Sequence, residues 1–125
     1  MARIILAEDD DNLRFFLARA LRRAGHDVND YPDGEQALTR MNEHPVDLLL
    51  ADVVMPGLDG IELARRACDM WPHLRVIFIT GFAAVALQSG RAAPEAKMLS
   101  KPFHLKDLVA EVDRIFQTED QHGRL

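Results

Sequence analysis

The hydrophobic pattern of this chain switches repeatedly between two periods, and that switching restricts the folds open to it. Ile4-Ile5-Leu6-Ala7, Val46 to Val54 (VDLLLADVV) and Val76-Ile77-Phe78-Ile79 are short, nearly continuous apolar runs. Such runs suit strands buried on both faces. Val28 with Tyr31, and Met98-Leu99, are weaker and more polar, as edge strands tend to be. Helical stripes lie between the runs. Leu13, Phe16, Leu17, Ala20, Leu21 and Ala24 follow the i, i+3, i+4, i+7 spacing, and Gly25 then stops the helix. Leu105, Leu108, Val109, Val112, Ile115 and Phe116 repeat that spacing. A shorter stripe is Ile61, Ala64 and Cys68, and an alanine-rich helix is expected from Phe82 to Leu87. Asp33 with Gln36, and Asp59 with Glu62, pair an N-cap with the third residue after it and open two helices. Strand and helix thus alternate five times, which predicts an α/β fold with a parallel sheet covered on both faces.

A chain of 125 residues with 48% apolar and 28% charged residues supports one core and one domain. The polar stretch Thr118 to Leu125 reads as a frayed tail. No window approaches the ~20 apolar residues of a membrane span. The first strand begins at the third or fourth residue, so no signal peptide is expected. The single cysteine, Cys68, leaves no partner for an internal disulfide, which fits a reducing cytoplasm. The net charge of −5 argues weakly against a nucleic-acid binder. Glu8, Asp9 and Asp52 alone carry three of those negative charges. The acidity therefore describes one locality better than it describes the whole surface.

In an open parallel sheet, ligands sit beyond the carboxyl ends of the strands, where the strand order reverses. The residues that end each apolar run are Glu8-Asp9-Asp10, Asp52, Thr80-Gly81 and Ser100-Lys101-Pro102. Three acids, a hydroxyl and an ammonium are expected on one rim. Crowded carboxylates repel, so ionising all of them needs a compensating cation. A few hard oxygen ligands suit Mg²⁺, which keeps waters and accepts phosphate oxygens. A carboxylate beside such a cation is a nucleophile toward phosphorus and can become an acyl phosphate. Lys101 and Thr80 would neutralise and orient the phosphoryl oxygens. Each residue alone has a plainer role: an acid after a buried strand is often a helix N-cap, and Asp10 or Asp11 suits that role here. The combination at four strand ends is the informative feature.

Glu8-Asp9 after the first strand, Asp52 followed by Met55-Pro56-Gly57-Leu58-Asp59-Gly60, Thr80-Gly81 and Lys101-Pro102-Phe103 resemble the motifs of one family. The chain is similar to the receiver domain of two-component response regulators, the CheY-like group, from Arg3 to about Phe116. The resemblance implies a flavodoxin-like, doubly wound (βα)5 fold with a five-stranded parallel sheet in the order 2-1-3-4-5. It implies a receiver domain over residues 1–118 and a polar tail over 119–125. By resemblance, Asp52 is the phosphoacceptor, and Glu8, Asp9, Asp52 and the backbone carbonyl of Val54 hold Mg²⁺. Thr80 matches the switch hydroxyl and Lys101 the phosphate-contacting lysine, with Lys101-Pro102 in the cis form. The resemblance assigns Asp10 no further role. It implies a phosphohistidine donor, either a histidine kinase or a histidine phosphotransfer protein.

Two positions depart from the family pattern. Met98 stands where an aromatic residue usually swings inward with the threonine, and a flexible thioether can repack there instead. Gly81 follows Thr80 and leaves room beside it. No residue from Val76 to Gly90 is charged. Thr80, Gly81, Phe82, Val85, Leu87, Met98 and Phe103 are the expected switch and partner surface. Phe15, off the first helix's stripe, is a lesser candidate, and Arg22-Arg23 and Arg65-Arg66 read as solvated helix surface. Three stretches, Ala7 to Leu17, Phe78 to Leu87 and Leu99 to Leu105, look like those of single-domain regulators of alphaproteobacteria. That likeness implies a phosphorylation-controlled adaptor for the ClpXP protease, active when unphosphorylated and concentrated at a cell pole. The rival within the same chemistry is a phosphorelay intermediate. A metal-dependent phosphatase with an aspartyl-phosphate intermediate usually needs a second carboxylate near the nucleophile, and Val53-Val54 follow Asp52 here. A flavodoxin-like cofactor binder needs a phosphate-cradling loop where this chain has four acids.

Overall fold

The computed structural model describes residues 2–81 and 97–123, with side chains described as far as residue 117. Five strands run β1 (Arg3–Ala7), β2 (Asp27–Tyr31), β3 (Leu48–Asp52), β4 (Arg75–Thr80) and β5 (Lys97–Ser100). The helices are α1 (Asp11–Arg23), α2 (Gly34–Glu43), α3 (Gly60–Met70) and α4 (Leu105–Gly123). All strand pairs are parallel, and the spatial order is β2-β1-β3-β4-β5. The two weak runs are the two edges, as their polarity predicted. The helix expected from Phe82 to Leu87 lies outside the described residues.

The central strands are buried on both faces because helices cover both. Ile4, Leu6, Leu48, Leu50, Ile77 and Ile79 point toward α1 and α4, where Leu17, Ala18, Leu21, Leu108 and Val112 meet them. Ile5, Ala7, Leu49, Ala51, Val76 and Phe78 point the other way, toward Ala37 and Met41 of α2 and Leu63, Ala64 and Ala67 of α3. Asp10, Asp33 and Asp59 cap α1, α2 and α3, each accepting the N–H of the residue three positions on. Asp10, which the family resemblance left without a role, therefore starts α1. Gly25 has φ 96°, a left-handed value that ends the α1 segment at little steric cost.

Three details differ from the periodic reading. Phe16 is 50% exposed, and Ala18 takes the buried place in α1. The helix turns its small residue to the core and leaves the aromatic ring outside it. In α3 the buried stripe is Leu63, Ala64 and Ala67, with Ile61 and Cys68 only partly covered. Spacing alone fits either stripe, and only the packing of α3 on the sheet selects between them. The last helix runs on to Gly123, past the point where a frayed tail was expected. Among the described residues no helix is long and apolar enough to cross a membrane.

Candidate functional site

The strand order reverses between β1 and β3, with β2 laid on one side of β1 and β3, β4 and β5 on the other. Register then decides what meets there. Leu6 pairs with Leu50 and Ala7 with Ala51. One step further puts Glu8 beside Asp52, both on the side of the even-numbered residues facing α1 and α4. The structure brings Glu8, Asp9 and Asp52 together, with one carboxylate oxygen from each within 4.8 Å of the others. Glu8 is fully buried, Asp52 is nearly so and Asp9 is exposed. Close-set hard oxygens, two of them buried, fit a small divalent cation better than they fit an ordinary solvated acidic surface.

Lys101 arrives from the far edge. Its Nζ lies 3.0 Å from Asp52 Oδ2 and 3.3 Å from Glu8 Oε1. The Lys101 N–H also bonds the Thr80 carbonyl at 2.8 Å, which ties the end of β5 to the end of β4. The Lys101-Pro102 peptide is cis, as the resemblance implied. Asp52 Oδ1 accepts the Val54 N–H at 3.1 Å, so both carboxylate oxygens of Asp52 are oriented. Glu8 Oε2 accepts the Asp10 N–H at 3.1 Å. Thr80 is buried at the end of β4, one residue beyond Ile79, the register partner of Asp52. Val54 is 51% exposed beside the pocket. Gly81 is exposed, with no described residue within 4 Å of where a Cβ would stand, and Met98 and Phe103 are partly buried against the two core layers. Phe82, Val85 and Leu87 lie outside the described residues.

Arg14 was not singled out by any sequence pattern. Its guanidinium donates to the Glu8 carbonyl at 2.8 Å and pairs with Asp11 and with Asp30 of β2. It braces the turn that presents the acids, and only the fold brings it to Asp30.

Burial pushes the Glu8 carboxyl up from its ordinary 4.5 to about 7, and the nearby Asp52 adds to this. Burial disfavours the Lys101 ammonium, but its bonds to Asp52 and its attraction to Glu8 outweigh that and hold its pKa above the usual value. The folded protein therefore holds the Glu8 proton more tightly than the unfolded chain does. The stability contributed by protonated Glu8 is complete below about pH 4.5 and is lost as the pH rises through about 7. Glu8→Gln is expected to flatten this slope and to raise the melting temperature of the metal-free protein by several degrees at pH 8. A divalent cation needs the ionised carboxylate, so Mg²⁺ is expected to stabilise the wild type more at pH 8 than at pH 6. Thermal melts at both pH values, with and without Mg²⁺, check both expectations.

The described residues thus form a five-stranded, parallel, doubly wound domain with an aspartate at its switch point, gathered with two further acids and bridged by a lysine. The family model described as the response regulator receiver domain matches residues 4–113, and the chain belongs to that family. It is 55% identical over 116 residues to the response regulator receiver protein CpdR of Brucella abortus (strain 2308), covering 92% of this chain and 97% of that protein. It is 37% identical to the sensor kinase CckA of the same organism, over 95% of this chain but only 13% of the kinase. Among solved structures, a CheY-like receiver domain protein from Methanospirillum hungatei JF-1 superposes with a TM-score of 0.89. That match covers 98% of each chain at 22% identity, which speaks for the fold alone.

Proposed function

We propose that this chain is a single-domain response regulator in which Asp52 takes a phosphoryl group from a phosphohistidine. The observation that carries the reading is the buried Asp52 carboxylate, oriented by Val54 and Lys101 within a three-acid group. One Asp52 oxygen forms the P–O bond while the P–N bond to the donor imidazole breaks, and the imidazole leaves with that bond's electron pair. Lys101 gives a cation to the oxygens of the transferring group, and the Thr80 hydroxyl donates to one of them. Glu8, Asp9, Asp52 and the Val54 carbonyl would hold Mg²⁺, which supplies charge neutralisation between the carboxylate and the phosphoryl oxygens. The product adds about −1.5 to −2 of charge at the rim. Drawing Thr80 toward that charge shifts the segment after it, a local event that biases a two-state surface. The chain is read as a phosphoacceptor whose own chemistry goes no further than gaining and losing its phosphoryl group.

The donor is a histidine kinase or a histidine phosphotransfer protein. Phe15 and Phe16 support docking beside the pocket. They are 58% and 50% exposed and meet edge to face, with ring centroids 5.5 Å apart. They stand about one helical turn beyond the Asp10 cap. Exposed aromatic pairs of this kind favour protein contacts.

For the output we infer a phosphorylation-controlled adaptor for the ClpXP protease, acting in the cytoplasm and concentrated at a cell pole. The near-complete mutual coverage with the CpdR relative supports this. The similarity to a segment of a sensor kinase favours one rival, a phosphorelay intermediate that passes phosphate onward. Capture with purified ClpX separates them. Unphosphorylated wild type and Asp52→Ala are both expected to bind, and phosphorylated wild type to be released. If no form binds ClpX and the phosphate moves to a histidine phosphotransfer protein, the relay stands instead.

A further inference from the structure

We propose that Glu35 is a positioning residue for the acidic site, acting through the turn that follows Asp52. The proposal rests on the reading that the Val54 carbonyl completes a Mg²⁺ site. The segment from Val53 to Asp59 connects β3 to α3, and its backbone direction sets where the Val54 carbonyl points. Near Asp52 it is fixed: the Val53 N–H bonds the Ile79 carbonyl at 2.9 Å, and the Gly60 N–H bonds the Val53 carbonyl at 3.0 Å. Its outer limb is gripped by the first turn of the neighbouring helix α2. Glu35 Oε1 accepts the Leu58 N–H at 3.0 Å.

Two glycines make that grip possible. Gly57 has φ +74°, and a Cβ there would stand 2.8 Å from Glu35 Oε1. A side chain at this position would meet the carboxylate that holds the next residue. Gly34 begins α2, and a Cβ there would lie 2.7 Å from the Leu58 carbonyl oxygen. The Leu58 N–H is therefore held by the Glu35 carboxylate, and the lack of a side chain at Gly34 lets α2 stand close against the Leu58 carbonyl. A hydrogen bond to a charged acceptor is stronger than one between neutral groups. The α2 helix is itself anchored, with Asp33 capping it and Ala37 and Met41 fully buried. Glu35 thus transmits the position of a packed helix to a turn at the site. Outer-shell partners of this kind commonly alter metal affinity by about tenfold or more.

Glu35→Ala and Glu35→Gln test this in the 125-residue chain, with Mg²⁺ titrated calorimetrically and the Leu58 amide followed by NMR. Glu35→Ala is expected to weaken Mg²⁺ binding by about tenfold. Its melting temperature is expected to stay close to that of the wild type, and the Leu58 amide to lose its protection from exchange. Glu35→Gln keeps an acceptor oxygen and is expected to recover most of the affinity and the protection. Wild-type affinity in Glu35→Ala would overturn the proposal. So would an equal loss in both variants, since that would show a need for charge alone. If the wild type binds no Mg²⁺, the reading of the acidic pocket fails, while the Leu58 amide in the metal-free protein still decides whether Glu35 holds the turn.

Discussion

Asp52→Asn is expected to reduce labelling by a small phosphodonor such as acetyl phosphate to background, with the fold intact. The amide is nearly isosteric with the carboxylate, so the Val54 N–H keeps an acceptor and Lys101 keeps a neighbour. What disappears is the anionic nucleophile, and a neutral amide oxygen or nitrogen does not replace it at phosphorus. The same change removes one of the three acids gathered at the rim, so Mg²⁺ affinity is expected to fall as well. The control is Asp10→Asn. Asp10 caps α1 through a side-chain oxygen that asparagine retains, and asparagine is an equally good N-cap. Its labelling is expected to match the wild type. Undiminished labelling of Asp52→Asn, measured by intact mass or by retained radiolabel, would remove Asp52 from the role.

Gly60→Ala is the second large effect, and it comes from packing. A Cβ at Gly60 would fall inside contact distance of the Asp52 carbonyl oxygen and 2.8 Å from the Asp52 carbonyl carbon. These are backbone atoms of a fully packed central strand, so no side chain can swing away to make room. Overpacking of this kind costs about 1–3 kcal/mol and occasionally more. Relief requires either α3 to withdraw or the end of β3 to move. The second route displaces the Asp52 side chain. The expected result is a melting temperature lower by roughly 5 °C or more, for a domain of this size. Whatever protein folds is expected to label more slowly at Asp52. A variant with both the stability and the labelling of the wild type would show that the helix is freer to shift than its packing implies. Gly81→Ala is the contrast, since no described residue comes within 4 Å of where its Cβ would stand.

Glycines of these two kinds look alike in a sequence, and so do many of the residues that matter here. Asp33 and Asp59 were legible as caps because capping depends on contacts three residues apart. The edge strands were legible because polarity records exposure. The place of Phe16 was not legible. A stripe of helical period does not say which of two nearby residues faces a sheet, and the rotation of α1 in the fold put Ala18 in that place. Arg14 and Glu35 were silent for a related reason. Each acts on backbone far away in sequence, and no local pattern marks a carboxylate that will hold Leu58, 23 residues later.

The sequence by itself determined the alternation of strand and helix and the kind of chemistry at the strand ends. Both follow from local periodicity and from residue type, which are properties of short segments. Only the tertiary structure decided that these ends converge. Lys101 reaches Glu8 and Asp52 across 93 and 49 residues of chain, and the parallel register of β1 on β3 sets the two acids side by side. A strand order of β2-β1-β3-β4-β5 opens its crevice between β1 and β3. Burial at that crevice, which no single segment contains, is what raises Glu8.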